Sequence, residues 1–190
     1  MDLLHSGLPE SGSFEDILLK IARNAIGAEL GYPEKILPDH PNLHCFGATF
    51  VTLSLNGDLR GCIGSLLPVR PLGEDIRENA RNAAFRDPRF FPLAAHEWQF
   101  LKIGISLLSP PEELFFNNLD DLAEQISEKR EGLFLKWEHR SATYLPEVWE
   151  MISDPGMFLE ELLKKGHIPA DAKPPGLRAF GYSSTVIKES

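Results

Sequence analysis

The chain has 190 residues, 43% of them hydrophobic, and a formal net charge of −9 at pH 7. This length and composition predict one folded domain rather than a disordered chain. The negative charge argues against general nucleic-acid binding, which depends on neutralising phosphates with Lys and Arg. No apolar run is long enough to cross a bilayer, and residues 1–10 lack the basic and apolar regions of a signal peptide. Two cysteines make no disulfide framework, so we expect a reduced, cytoplasmic protein.

The first predicted element is a helix that begins after Ser13. Asp16 follows this serine at a spacing close to that of a capping box, in which two side chains satisfy backbone N–H groups at the helix start. Apolar residues then recur at helical spacing as far as Ala25, and Gly27 or Gly31 can end the helix. A loop that contains three prolines follows.

The next two elements form a predicted β-hairpin. Residues 49–55 alternate between two faces and are rich in β-branched and aromatic side chains. Asn56-Gly57 is a strong signal for a two-residue turn, and residues 59–64, which read LRGCIG, return as the second strand.

A two-residue turn predicts the register of this hairpin. Arg60 is then opposite Leu53, and Cys62 is opposite Val51. In this register Arg60 and Cys62 point to the same side of the sheet, because alternate residues of a strand share a face.

A second helix is predicted to start at Pro71 and to stop at Asp87-Pro88, because a residue before proline disfavours helical conformation. Residues 100–109 predict another strand. The remaining predicted elements are a helix over 119–129, a hairpin of 133–137 and 141–145, short helices from Pro146 and from Pro155 or Gly156, a loop over 170–176 and a strand over 182–188. Hairpins with helices in irregular order predict an α+β fold with a mostly antiparallel sheet flanked by helices.

Cys62 is the first candidate for chemistry. A thiolate is the reactive form of cysteine, and a nearby cation lowers the pKa of a thiol. Arg60 could supply that cation or hold a substrate anion, while Gly61 and Gly64 would let a ligand approach the backbone. The alternative is a structural cysteine, since free cysteine is among the most buried residue types.

A cysteine nucleophile normally needs a base, and none of the six histidines shares a motif with Cys62. His96 is the histidine to consider, against the alternative of a surface histidine at a helix start. A disulfide with Cys45 is not expected, because a straight strand places Cys45 about 20 Å from Val51. No motif for a metal ion or a cofactor is evident, so we expect neither.

Residues 87–90, which read DPRF, form a second candidate group. We expect Asp87 to cap the helix end or the turn that follows, and Arg89 to pair with a carboxylate. Several segments in chain order, including this one, resemble the AMMECR domain family. They are residues 50–53, 59–64, 83–90, 105–112, 144–148 and 163–166.

The resemblance covers residues from about 14 to 189 and implies one α+β domain with a larger and a smaller lobe and a cleft between them. The larger lobe would draw on both chain ends, and the smaller lobe would lie within residues 111–176. The LRGCIG segment would line the cleft as the functional site. By motif position, the catalytic candidates are Cys62 and Arg60, and the substrate-binding candidates are Gly61, Ile63, Gly64, Asp87 and Arg89.

Many prokaryotic members of the family are encoded beside a radical-SAM protein and a Memo-type protein, and are called AmmeMemoRadiSam system protein A. The resemblance therefore implies a pathway shared with these two possible partners. One hypothesis is an enzyme in which Cys62 acts on a small anionic or modified substrate that Arg60 holds. The other is a non-catalytic module that binds a partner protein, a peptide or, less in keeping with the charge, a nucleic acid.

Overall fold

The structure is a computed structural model that describes residues 13–190. The prediction that the chain starts without a signal peptide concerns residues 1–10, which lie outside the described range. The chain divides into two compact units: the first combines the chain up to Leu107 with Val186–Ser190, and the second is Leu108–Thr185. In the described part of the chain, no helix has both the length and the apolar character needed to span a membrane.

The described residues form four α-helices, ten strands and three short 3-10 helices. In chain order they are α1 (Phe14–Glu29), a 3-10 helix (Pro41–His44), β1 (Phe46–Gly47), β2 (Thr49–Leu55), β3 (Asp58–Gly64), β4 (Arg70–Pro71), α2 (Leu72–Phe85), a 3-10 helix (Ala95–Phe100), β5 (Leu101–Leu108), β6 (Glu112–Leu114), α3 (Leu119–Lys129), β7 (Gly132–Trp137), β8 (Arg140–Tyr144), a 3-10 helix (Pro146–Glu150), α4 (Pro155–Lys165), β9 (Leu177–Tyr182) and β10 (Ser184–Lys188).

The first unit contains a four-stranded sheet, in the order β10-β5-β2-β3, a two-stranded pair of β1 and β4, and the helices α1 and α2. Val51 and Leu53 of β2 and Ile103 and Ile105 of β5 are buried in one cluster with the apolar faces of α1 and α2. Because strand side chains alternate, the residues between them lie on the opposite side of the sheet, which we call the outer face. The capping box predicted at Ser13 is confirmed at the start of α1.

The second unit has its own sheet, in the order β6-β9-β7-β8, with antiparallel pairing throughout. Leu133 and Leu135 of β7 are fully buried and pack in one cluster with residues of α3 and α4. Phe158 of α4 stacks on Trp149, with ring centroids 3.9 Å apart. The predicted α+β fold with antiparallel sheets flanked by helices is therefore confirmed in both units.

The hairpin of β2 and β3 forms as predicted, but its register is different. Arg60 is the extra residue of a β-bulge, and beyond it Cys62 is opposite Thr52. The predicted pairs of Arg60 with Leu53 and of Cys62 with Val51 are therefore wrong. A turn signal sets the register only when no residue is inserted into a strand, and the bulge has no signal in the local sequence. The shift places Cys62 on the outer face, because Thr52 alternates with the buried residues of β2.

The C-terminal segment holds two strands where the sequence predicts one strand over 182–188. β9 pairs with β6 and β7 in the second unit, whereas β10 lies beside β5. Most of the six residues of β9 alternate between buried and more exposed positions, as in an ordinary strand. The sequence prediction misses this strand because it directly follows the proline-rich loop over 170–176.

Candidate functional site

The backbone of Cys62 is covered by two side chains. β3 is the last strand of its sheet, so one of its edges has no neighbouring strand in that sheet. The Cys62 N–H donates to Asp87 Oδ2 at 2.9 Å, and Arg89 Nη2 donates to the Cys62 carbonyl at 3.2 Å. Asp87 and Arg89 therefore satisfy the groups that a further strand would bond. We call this arrangement the Asp87–Arg89 clamp.

The clamp is held together by its own ion pair. Asp87 Oδ1 accepts from Arg89 Nε at 3.0 Å and Asp87 Oδ2 from Arg89 Nη2 at 2.7 Å, while the Asp87 side chain is only 1% exposed. The hydrogen bond from Arg89 lowers the pKa of Asp87 to about 2, although burial acts in the opposite direction. The same bond raises the pKa of Arg89, with a smaller contribution from attraction to Cys62.

The end of α2 places the clamp. The helix ends at Phe85, as the Asp87-Pro88 sequence predicts. The Asp87 carbonyl then accepts from the Phe90 N–H at 3.1 Å, and the Arg89 N–H donates to Asp87 Oδ1 at 3.1 Å. This turn brings Arg89 back onto the carboxylate, so the local sequence produces the ion pair.

The thiol of Cys62 lies beside a threonine. Its Sγ atom is 3.3 Å from Thr52 Oγ1, and the residue is partly exposed. Sequence reasoning missed Thr52 because the bulge changes the residue opposite Cys62. The other cysteine, Cys45, is exposed, and the two cysteines form no disulfide bond with each other.

Arg60 has a different partner from the one that the sequence suggests. Its Nε and Nη2 atoms donate to Glu97 Oε1 and Oε2 at 2.7 and 2.9 Å, and both side chains are largely buried. The hydrogen bond from Arg60 lowers the pKa of Glu97. Arg60 is thus bound to a carboxylate, and Arg89 is the arginine that bonds to Cys62. No motif in the sequence points to Glu97, and the neighbouring His96 lies exposed in the 3-10 helix.

The glycines of the LRGCIG segment face groups of the protein itself. A Cβ atom on Gly61 would lie 2.2 Å from the Ala83 carbonyl oxygen in α2, and one on Gly64 would lie 2.2 Å from the Phe50 ring. Ile63 packs against the core of the first unit. The close approach expected of a ligand at Gly61 and Gly64 is therefore made by a helix backbone and an aromatic ring.

A buried polar network lies near the end of β3. Asp75 of α2 is fully buried, and its Oδ2 atom accepts from the Thr49 N–H, the Thr49 hydroxyl and Asn79 Nδ2 at 2.8–2.9 Å. Its Oδ1 atom accepts from the Ser65 hydroxyl at 2.8 Å and lies 3.2 Å from Arg70 Nε. Sequence reasoning missed this group, although an Asp and an Asn four residues apart on a buried helix face are a usable signal.

Two cavities lie away from the LRGCIG segment. One, of about 190 Å³, is lined by residues of α3 and its neighbouring strands in the second unit. The other, of about 400 Å³, lies beside α1 and the loop over 34–39 in the first unit. Neither cavity is lined by a residue of the LRGCIG segment or the clamp.

Comparisons with known proteins identify the family. The sequence profile of the AMMECR1 family matches residues 19–187. Protein NEQ441 of Nanoarchaeum equitans is 34% identical over 177 residues, which cover 90% of this chain and 98% of that protein. Protein MK0488 of Methanopyrus kandleri is 36% identical over 172 residues, covering 85% and 80% of the two chains. The crystal structure of the uncharacterized protein PH0010 from Pyrococcus horikoshii superposes with a TM-score of 0.83 at 29% identity, covering 93% of this chain and 91% of that one. The chain therefore belongs to the AMMECR1 family.

Proposed function

We propose that the protein is an enzyme whose reactive group is the Cys62 thiol, acting on a small anionic or modified substrate. The Asp87–Arg89 clamp is the observation that supports this proposal. It holds a partly exposed cysteine in one position and keeps an arginine, 54% exposed, beside it. A fixed thiol next to an accessible guanidinium is an arrangement suited to binding an anion and reacting with it.

Two groups support the thiolate in this proposal. The Thr52 hydroxyl can donate to Sγ, and a hydrogen bond to the charged form of a group favours that form. The positive charge of Arg89 favours it too, although Asp87 offsets much of this effect because the ion pair has no net charge. We assign Arg60 a positioning role, in which its bond to Glu97 holds the 3-10 helix against β3.

The rate at which iodoacetamide alkylates Cys62 tests the role of Arg89. The protein would carry Cys45→Ser, so that Cys62 is the only thiol. We expect Arg89→Gln to slow alkylation at neutral pH by about threefold or more, since it removes the nearby cation. Arg86→Gln is the matched control, because Arg86 is similarly exposed and bonds to Glu29 and Asn82. Equal alkylation rates in the two variants would show that Arg89 does not activate the Cys62 thiol.

The partners in the proposal are a radical-SAM protein and a Memo-type protein. They rest on the family resemblance, and a direct interaction would show as co-purification of tagged protein with either one at micromolar concentration. If neither protein co-purifies, the proposal is restricted to a shared pathway in which the proteins do not bind each other.

A non-catalytic binding module is the second candidate. It is favoured by the clamp itself, because the two charges of Asp87 and Arg89 satisfy each other and the backbone of Cys62. Substitution of Cys62 by Ser separates the two functions. A module would retain partner binding in this variant, whereas an enzyme would lose turnover.

A further inference from the structure

The outer face of the first unit carries a row of four residues that begins at Cys62. Cys62 is opposite Thr52 on β2, and Thr52 is opposite Gly104 on β5. Gly104 lies beside Lys188 of β10, whose Cγ atom is 3.6 Å from the position of a Cβ on the glycine. Neighbouring strands are about 4.8 Å apart, so the Cα atoms of Cys62 and Lys188 are separated by about 14 Å.

Gly104 differs from the other glycines near the site. Gly61 and Gly64 have no room for a Cβ atom, whereas the nearest atoms to one on Gly104 are at 3.6–3.8 Å, which is ordinary contact. Its backbone is also compatible with any L-residue. Glycine weakens a strand interior, and neither packing nor backbone conformation requires it here. Close approach of a ligand is a remaining reason for glycine within a strand.

The charge of the outer face supports an anionic ligand. Alternation along β2, β3 beyond the bulge, β5 and β10 places two lysines of these strands, Lys102 and Lys188, on this face and none of their carboxylates. The Glu147 carboxylate accepts from the Ser184 hydroxyl, at the other end of β10 from Lys188. Lys102 donates to a backbone oxygen of Ser190, so Lys188 is the cation left to a ligand. The remainder of the chain is strongly acidic, which makes this local excess of positive charge distinctive.

We infer that Gly104 is the floor of a binding site for a small organic anion. The carboxylate or phosphate group lies at Lys188, the carbon body rests on Gly104 and Thr52, and the other end reaches Cys62. This inference rests on the proposed function, since it names the substrate class of the same thiol. It adds two residues, Gly104 of β5 and Lys188 of the edge strand β10, to those that select the substrate.

A pair of maleimides tests the site. In Cys45→Ser protein, Cys62 would be reacted with 3-maleimidopropionate and with its neutral amide. In both reactions the S–C bond forms as the ring C=C π bond breaks, and the adjacent carbon takes a proton from water. We expect Lys188→Gln to reduce the anion-to-amide rate ratio by about threefold or more, because only the anion is attracted to the lysine. Lys20→Gln, an exposed lysine of α1, is the control and should leave the ratio unchanged.

An unchanged ratio in Lys188→Gln would overturn the inference. Gly104→Val should slow both reagents, since its side chain fills the floor, and thermal unfolding would show that the variant is folded. If Cys62 reacts with neither reagent, the proposed function fails, and an acetate titration followed by amide NMR decides the binding site. A saturable shift of the Gly104 amide that Lys188→Gln abolishes would support the site, and no shift would contradict it.

Discussion

At the scale of single residues, Asp87 connects the Cys62 backbone to Arg89 in the candidate site. It is almost fully buried, it accepts the Cys62 N–H and it holds Arg89 by two hydrogen bonds. Its pKa of about 2, against an ordinary value of 3.8, corresponds to a contribution of about 2 kcal/mol to the free energy of unfolding at neutral pH.

The pH dependence of stability tests this contribution. A carboxyl group whose pKa is lower in the folded state stabilises fully above its unfolded pKa, and the effect is lost as pH falls toward the folded value. We therefore expect Asp87 to stop stabilising between about pH 4 and pH 2. Urea unfolding should show that Asp87→Asn costs about 2 kcal/mol at pH 7 and little at pH 2. The same loss at both pH values would contradict the assignment, and exposed Asp120→Asn is the control.

Gly61 has no room for a Cβ atom and Gly104 does, so we expect substitution by alanine to change the free energy of unfolding differently at the two positions. Gly61→Ala places a Cβ atom 2.2 Å from a helix carbonyl, so we expect a loss of about 1–3 kcal/mol in the free energy of unfolding. Gly104→Ala makes only ordinary contacts and should change stability by less than about 0.5 kcal/mol or increase it. Denaturant unfolding of both variants measures the difference, and equal losses would show that Gly104 is a packing residue.

At the scale of elements, the junction of β2, β3 and α2 depends on the polar network around Asp75. The carboxylate accepts hydrogen bonds from Thr49, Ser65 and Asn79 with no exposed surface. A buried donor that loses its acceptor keeps the full desolvation penalty.

Removal of this carboxylate should destabilise the first unit strongly. We expect Asp75→Ala to lower the free energy of unfolding by about 3 kcal/mol, because several buried donors lose one acceptor. The neighbouring Glu74 is exposed in the same helical turn, and Glu74→Ala should cost less than about 0.5 kcal/mol. Calorimetric or denaturant unfolding of the two variants compares them, and a small loss for Asp75→Ala would mean that water replaces the carboxylate.

Sequence reasoning predicts these elements well wherever a local signal exists. The capping box at Ser13, the turn at Asn56-Gly57 and the helix end before Pro88 all act over a few residues, and each is present in the structure. The bulge at Arg60 and the pairing of Arg60 with Glu97 depend on contacts between distant segments. For this reason the sequence identifies the LRGCIG segment but not the partners of its side chains.

At the scale of the whole molecule, two cores form from one chain. Within the described residues, the first unit combines the segment up to Leu107 with Val186–Ser190, and the second is the continuous segment Leu108–Thr185. β9 and β10 are separated by one residue, yet they belong to different sheets. Sequence alternation does not show which sheet a strand will join, so it predicts a single strand over 182–188 where the structure has parts of two.

From the geometry at Cys62 we claim that the thiol held by the clamp is reactive. The test is the pH profile of its alkylation by iodoacetamide in Cys45→Ser protein. A free cysteine reaches half its maximal rate near about pH 8.5. We expect a half-maximal rate at a lower pH than this, because the Thr52 hydroxyl favours the thiolate and the Arg89 guanidinium, partly offset by Asp87, acts in the same direction. A half-maximal rate at or above that of a free thiol, together with slow labelling, would contradict the claim and leave Cys62 a packing residue.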